Sequence, residues 1–315
     1  MRVADWQEAL AAHGPFTRVV VAEVKGSAPR EPGAELRVWP HRFEGTIGGG
    51  QLEFEALARA RGLIGRRVER IPLGPAMGQC CGGAVTLCYE RITESQVPRA
   101  GEMLRAVAMT PETPAPLFVH RAQARARDRG ERPALRFGGG WLLEPVDPPK
   151  QPLWIWGAGH VGRALVNVLE PLGTLAITWV DTDARRFPEA SQGPARLIAE
   201  NPADLVPLSP ANAQHVIATY SHALDLELCH RLLSQGFAGC GLIGSATKWV
   251  RFRNRLRILG HSDAQISRIA CPIGDPTLGK APEAIAIGIA GALLKTLSVQ
   301  SDRAGTAIPR KGRAG

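Results

Sequence analysis

The period of apolar positions changes along the chain, and the changes divide it in two. In the first half, Asp5 to His13 has helical spacing, Phe16 to Val24 is an apolar β-branched run that predicts a strand, and Leu36 to Trp39 alternates as another. Gln51 to Ile64 repeats apolar residues at helical spacing through Leu52, Ala56, Leu57, Ala60 and Leu63. Val68 to Leu73 and Ala84 to Glu90 read as strands, and Ser95 to Ala108 as a helix. Pro111 to Pro116 breaks the chain, and Leu117 to His120 and Trp141 to Leu143 read as short strands around a basic loop. Glu144 to Pro152 contains four prolines and reads as a linker.

The second half alternates strand and helix. Leu153 to Trp156, Ala176 to Val180, His215 to Thr219 and Phe237 to Ile243 are short apolar runs separated by helical segments. That alternation predicts a parallel sheet with helices on its faces. A last helix, Ala284 to Leu294, is apolar nearly all round and is expected to be buried, between domains or subunits. The predicted fold class is therefore α/β. A mixed α+β domain over 1–145 precedes a Rossmann-like, doubly wound parallel-sheet domain over 146–300, and 301–315 forms a basic, disordered tail.

The stretch LWIWGAGHVGRALVNVLEPLGTLAITWVD, from Leu153 to Asp181, organises the second domain. It places G-x-G-x-x-G between a strand and a helix, the context in which that spacing has meaning. Gly157 permits the tight turn, Gly159 lets a phosphate approach the backbone next to His160, and Gly162 lets helix and strand pack closely. The helix start offers N–H groups and a partial positive charge to an anion. Asp181 follows about 20 residues on, where an acid can accept from a ribose hydroxyl.

Other segments suggest ligand chemistry less directly. Gly48, Gly49 and Gly50 stand directly before a helix; the pattern fits an anion cradle or a tight turn against a neighbouring strand. Glu53, in the first turn of that helix, either favours its dipole or meets a ligand's polar edge. Gly26 to Gly33, with Arg30 inside it, is an irregular loop. Gln79, Cys80 and Cys81 sit among glycines, where adjacent thiols offer soft sulfur to a soft partner or exposed thiol chemistry. His222 and Asp225 follow the end of a strand, where α/β sheets place ligands, although a helix start with a first-turn acid has the same pattern. Ser245 reads as an N-cap, and Lys248 in the first turn opposes the helix dipole, which points to a nearby anion or partner.

Composition narrows the function classes. An apolar fraction of 44% over 315 residues is enough for two cores. No apolar run approaches the ~20 residues of a membrane span, and the early acids of the N-terminus do not read as a signal peptide, so a cytoplasmic protein is expected. The formal charge of +9 is spread over the tail and the arginines at 121, 125, 127 and 129, without a nucleic-acid motif; a solvated surface or a small anionic ligand fits better. The six cysteines include no C-x-x-C pair, and Cys88, Cys229 and Cys240 read as core residues.

The segments GSAPREPGAEL, GTIGGGQLE, GPAMGQCCGG, WGAGHVGRAL, WVDTDARRFP, SHALD, GLIGSATKWVRFRNRL and CPIGDPTLGKAPEAIA occur in this order from about Gly14 to Lys295. In them the chain resembles the XdhC (also CoxI) family of xanthine dehydrogenase accessory proteins. One departure is Tyr220, where the family pattern T-H-x-H-A-L-D has its first histidine. The resemblance implies a chaperone that binds the molybdenum cofactor (Mo-molybdopterin), holds it while a cysteine desulfurase supplies a terminal sulfur, and delivers it to apo xanthine dehydrogenase. It implies a carrier without turnover of its own, and as partners the molybdenum-binding subunit, the desulfurase, the cofactor's biosynthesis proteins and a second copy in a homodimer. The expected cofactor-binding set is Arg30, Gly48, Gly49, Gly50, Glu53, Gln79, Cys80, Cys81, Gly157, Gly159, His160, Gly162, Asp181, His222, Asp225, Ser245 and Lys248, with Cys80 and Cys81 near molybdenum or sulfur. A nucleotide is the alternative occupant of the Rossmann pocket. The rival reading is an NAD(P)-dependent oxidoreductase with His222 as proton donor, which leaves the thiols unexplained; a third is a scaffold that docks partners through the basic helix after Ser245.

Overall fold

A computed structural model describes residues 1–74, 82–189 and 193–305, with side chains through 298. The chain divides into two units, Met1–Pro149 and Lys150–Gly315.

The first unit contains α1 (Val3–His13), β1 (Phe16–Lys25), β2 (Glu35–Val38), β3 (Phe43–Gly45), α2 (Gly50–Arg61), β4 (Arg66–Pro72), β5 (Ala84–Ile92), β6 (Leu104–Ala108), α3 (Leu117–Arg129), β7 (Arg136–Gly138) and β8 (Trp141–Pro145). A five-stranded antiparallel sheet runs β3-β2-β1-β5-β4, and a three-stranded one runs β6-β8-β7. Residues on alternate sides of β1 face two different cores. Val19 and Val21 join Leu52, Ala56 and Ala60 of α2. Val20 and Ala22 join Cys88 and, from the smaller sheet, Val107 and Leu142.

Between the two sheets, Arg18 and Arg105 pair with Glu90 and Glu144. Arg18 Nη1 and Nη2 donate to the two Glu144 oxygens at 2.9 and 2.8 Å, and Arg105 Nη2 donates to Glu90 Oε2 at 2.5 Å. Both guanidiniums lie over the Trp6 ring. Buried charges in such numbers stand only where each has partners.

Four expectations need correction here. Ser95 to Ala108 is not a helix. A short 3₁₀ turn at Glu94–Gln96 is followed by strand β6, whose burial alternates and whose partner is β8. Its helix-favouring composition yields to pairing, as short segments often do. Conversely, Leu117 to His120 opens a 13-residue helix rather than a strand, closed by Gly130 in the left-handed conformation. It starts directly after Pro116 and is rich in Ala and Arg, both good helix formers. The linker also begins later than its prolines suggest, because Glu144 is fully buried in the ion-pair cluster. Finally, α8 (below) runs through Gly305, so the segment read as a tail starts as helix.

The second unit contains β9 (Gln151–Trp156), α4 (His160–Leu169), β10 (Leu175–Asp181), β11 (Ala195–Ile198), β12 (Gln214–Ile217), α5 (His222–Gln235), β13 (Gly239–Leu242), α6 (Ala246–Ile258), α7 (Asp263–Ile266), β14 (Ile269–Ala270) and α8 (Pro282–Gly305). Its six-stranded sheet is parallel throughout, ordered β11-β10-β9-β12-β13-β14, the doubly wound arrangement expected. On one face Leu153, Ile155 and Ile177 pack with Leu165 of α4 and Ile289 and Leu293 of α8. On the other, Trp154, Trp156 and Val180 pack with Leu228 and Leu232 of α5 and Phe252 and Leu256 of α6. The last helix is buried on one face only: Ile287 is 55% and Leu294 is 41% exposed. Among the described residues no helix is long and apolar enough to cross a membrane.

Candidate functional site

In the second unit the strand order reverses at β9, between β10 and β12, so the loops that follow β9 and β12 part and leave a crevice at the carboxyl edge. The glycine loop fills its floor. Gly157 has φ +117°, and a Cβ there would collide with the Ala218 carbonyl oxygen beyond β12. A Cβ at Gly162 would collide with the Gly157 carbonyl oxygen, which already accepts from Trp179 Nε1 at 2.9 Å. These two glycines are therefore spent on packing. Gly159 differs, since a Cβ there meets nothing within 4 Å. It caps α4 with no side-chain hydrogen bond, and the exposed His160 is the first helical residue. The start of α4 is thus an open anion position.

Asp181 ends β10 and is only 4% exposed. Ala158 N–H donates to its Oδ2 at 2.5 Å and Thr182 N–H to its Oδ1 at 2.6 Å, so the carboxylate braces the glycine loop from inside. Arg186, from the turn after β10, places its Nε 3.3 Å from Asp181 Oδ1. The same guanidinium lies 4.3 Å from the centre of the Tyr220 ring, on the far side of the crevice. Arg185, by contrast, is exposed and pairs with its neighbour Asp183.

A second cluster lies further along the same edge. Lys248 Nζ donates to Asp225 Oδ2 at 2.5 Å and to the Ile243 carbonyl at 3.0 Å, while Thr219 Oγ1 donates to Asp225 Oδ1 at 2.6 Å. Ser221 caps α5 and Ser245 caps α6, each accepting from the helix's third N–H. The anion that Lys248 called for is thus supplied by this chain. Arg251 and Arg255, further along α6, remain exposed while Lys248 turns inward. His222 stands exposed at the first position of α5, outside this network.

In the first unit the Gly26–Gly33 and Gly48–Gly50 loops meet at one end of the larger sheet. Gly48 has φ +126°, and a Cβ there would lie 2.5 Å from Pro29 Cβ, so the triple glycine closes against the loop that carries Arg30. A Cβ at Gly83, just before β5, would collide with the Ser27 carbonyl oxygen, so Gly83 lies against the same turn. Gln79, Cys80 and Cys81 themselves lie outside the described residues. Arg30 is half-buried, 3.9 Å from Glu31. The anion cradle expected at Gly48–Gly50 is filled from within: Glu53 Oε2 accepts from Ile47 N–H at 3.1 Å, Gly49 N–H at 3.2 Å and Thr46 Oγ1 at 2.6 Å. A phosphate arriving there meets a carboxylate already holding those donors.

The sequence places Arg186 within reach of a phosphate and Tyr220 in the family pattern, but the motifs alone did not pair Arg186 with Tyr220 or set Thr219 beside Asp225. The signals were present, however: an arginine shortly after the β10 acid, and an aromatic directly after a strand's end.

Known proteins agree with this architecture. Residues 153–293 match the XdhC Rossmann domain, and residues 9–72 match the XdhC and CoxI family. The uncharacterized protein YqeB of Escherichia coli is 23% identical over 292 residues, which cover 89% of this chain and 43% of YqeB, so the chain spans less than half the length of that relative. A crystal structure described as a xanthine dehydrogenase from Bacillus halodurans superposes with a TM-score of 0.73 at 20% identity, over 95% of this chain and 97% of that one, a likeness of fold. The matches take in the triple-glycine loop of the first unit and the sheet of the second from β9 to α8, and the chain belongs to the XdhC and CoxI family.

Proposed function

We propose that this protein is an accessory factor for xanthine dehydrogenase maturation that holds the molybdenum cofactor during its sulfuration and passes it to the apoenzyme. Family membership supports the accessory role. The observation that carries cofactor binding is the uncapped start of α4 behind Gly159, with open space where the backbone can meet a phosphate. When bound, the cofactor supplies a molybdenum centre able to take a terminal sulfur. The α4 start would hold the phosphate, and Cys80 and Cys81, outside the described residues, are the soft thiols the sequence offers for sulfur chemistry. Its partners in this reading are the dehydrogenase's molybdenum-binding subunit and a cysteine desulfurase. Binding and release need no turnover, so the protein acts as a carrier.

A nucleotide is the competing occupant, favoured by the position of Asp181 at the end of β10. That carboxylate, however, already accepts from Ala158 and Thr182 and faces Arg186, which leaves little of it for a ribose.

The test is cofactor content. The protein is purified anaerobically from a host that makes the molybdenum cofactor, and molybdenum and oxidised pterin are measured in wild type and in Cys80→Ala/Cys81→Ala. Near-stoichiometric cofactor in the wild type is expected, with loss in the double variant. Cofactor retained in the variant removes the thiols from the site but keeps the carrier. No cofactor, with tight NADH binding, overturns the proposal in favour of a dehydrogenase.

A further inference from the structure

Arg186 and Tyr220 reach toward each other from opposite sides of the switch point. Arg186 belongs to the turn after β10, and Tyr220 follows β12. Between these strands lies β9, with the glycine loop at its end. The guanidinium-to-ring contact of 4.3 Å therefore spans the mouth of the crevice above that loop.

The two side chains are not held alike. The backbone of Arg186 is anchored, because its carbonyl accepts from Arg163 Nε and Nη2 at 3.0 and 2.7 Å. Its side chain is 37% exposed. Tyr220 is 68% exposed and, among the described residues of this unit, is the large aromatic ring left mostly in solvent. An exposed ring with a cation on its face has nothing to do for the core. Where a planar heterocycle is to be bound, it is a stacking surface, and stacking accepts any π-face.

We propose that Arg186 and Tyr220 form a latch over the crevice, opened by a planar heterocycle that carries a phosphate. The ring of the ligand takes the place of the guanidinium on Tyr220. Its phosphate lies at the start of α4, where Gly159 leaves the backbone open. The released guanidinium stays beside Asp181 and offers its donors to acceptor atoms, nitrogen or oxygen, on the edge of the heterocycle. Purine nucleotides and phosphorylated pterins share this chemistry. Tyr220 then sets ligand preference in this chain, at the position where the family pattern has a histidine. The inference rests on the proposed role of the α4 start as a ligand site.

The chain has two tyrosines, and the other, Tyr89, is fully buried, so nitration by tetranitromethane reports on Tyr220. The probes are AMP and the phosphorylated oxidised pterin obtained from the cofactor, each in equilibrium dialysis and in nitration followed by peptide mapping. At least one probe is expected to bind and to slow Tyr220 nitration about tenfold. Tyr220→Ala is expected to weaken that probe about tenfold while Tyr220→Phe keeps it, because the ring does the stacking. Protection by the pterin alone supports latch and carrier together. Protection by AMP alone supports the latch and removes the carrier's pterin from this crevice. Unchanged affinity in Tyr220→Ala, unchanged nitration at saturating probe, or no binding of either probe overturns the latch. If molybdenum still copurifies with the wild type in those cases, the carrier reading survives its loss.

Discussion

Lys248 Nζ and Asp225 Oδ2 lie 2.5 Å apart at the carboxyl edge of the parallel sheet, joining the first turns of α5 and α6. Asp225 is 1% exposed and the Lys248 side chain 11%. The pair closes on itself, with Thr219 Oγ1 donating to Asp225 and the Ile243 carbonyl accepting from Lys248. Its first consequence is for stability. Lys248→Met leaves a buried carboxylate without its cation and is expected to destabilise the second unit by about 3–5 kcal/mol. Asp225→Asn combined with Lys248→Met should restore much of that loss, because no uncompensated charge remains. Urea unfolding followed by tryptophan fluorescence measures both; additive losses in the double variant would show that the pair is not coupled.

The cluster between the sheets of the first unit makes that unit acid-sensitive. Burial alone would raise the Glu144 carboxyl, but Arg18 and Arg105 outweigh it and hold its pKa down to about 2, against an ordinary 4.5. A folded-state pKa below the unfolded one means that the unfolded chain binds more protons as pH falls. The stabilisation from Glu144 is complete above about pH 4.5 and is lost as pH drops toward about 2, a change of roughly 3 kcal/mol. Urea midpoints recorded across this window should fall steeply in wild type. Glu144→Gln should start lower and show a flatter dependence.

The glycines of the β9–α4 loop should separate into two classes. Gly157→Ala and Gly162→Ala each place a methyl against a backbone oxygen and are expected to destabilise the second unit by several kcal/mol, seen as a lower Tm. Gly159→Ala meets open space and should leave Tm nearly unchanged. It should still reduce molybdenum and pterin content, since the added methyl stands where the phosphate approaches. Equal cofactor content in Gly159→Ala and wild type would remove the α4 start from the site.

The sequence by itself determined the local features. The strand–glycine–helix order from Leu153 to Asp181 could be read because tight turns, close packing and helix starts depend on residues near in the chain. The alternation of short apolar strands with helices likewise determined the doubly wound sheet. Where local preference and pairing conflict, the sequence misled: Leu104 to Ala108 favours a helix by composition and becomes a strand because β8 lies beside it.

Only the tertiary structure decided how charges and loops are partnered. Arg18 and Glu144 stand 126 residues apart, and Asp225 and Lys248 stand 23 apart, so no spacing rule connects them. The triple glycine has the pattern of an open cradle, but Glu53 folds back onto the Ile47 and Gly49 N–H groups, whereas within the β9–α4 loop Gly159 is the glycine with open space at its Cβ position. Backbone freedom is written residue by residue, but whether a donor is free depends on which distant side chain folds onto it.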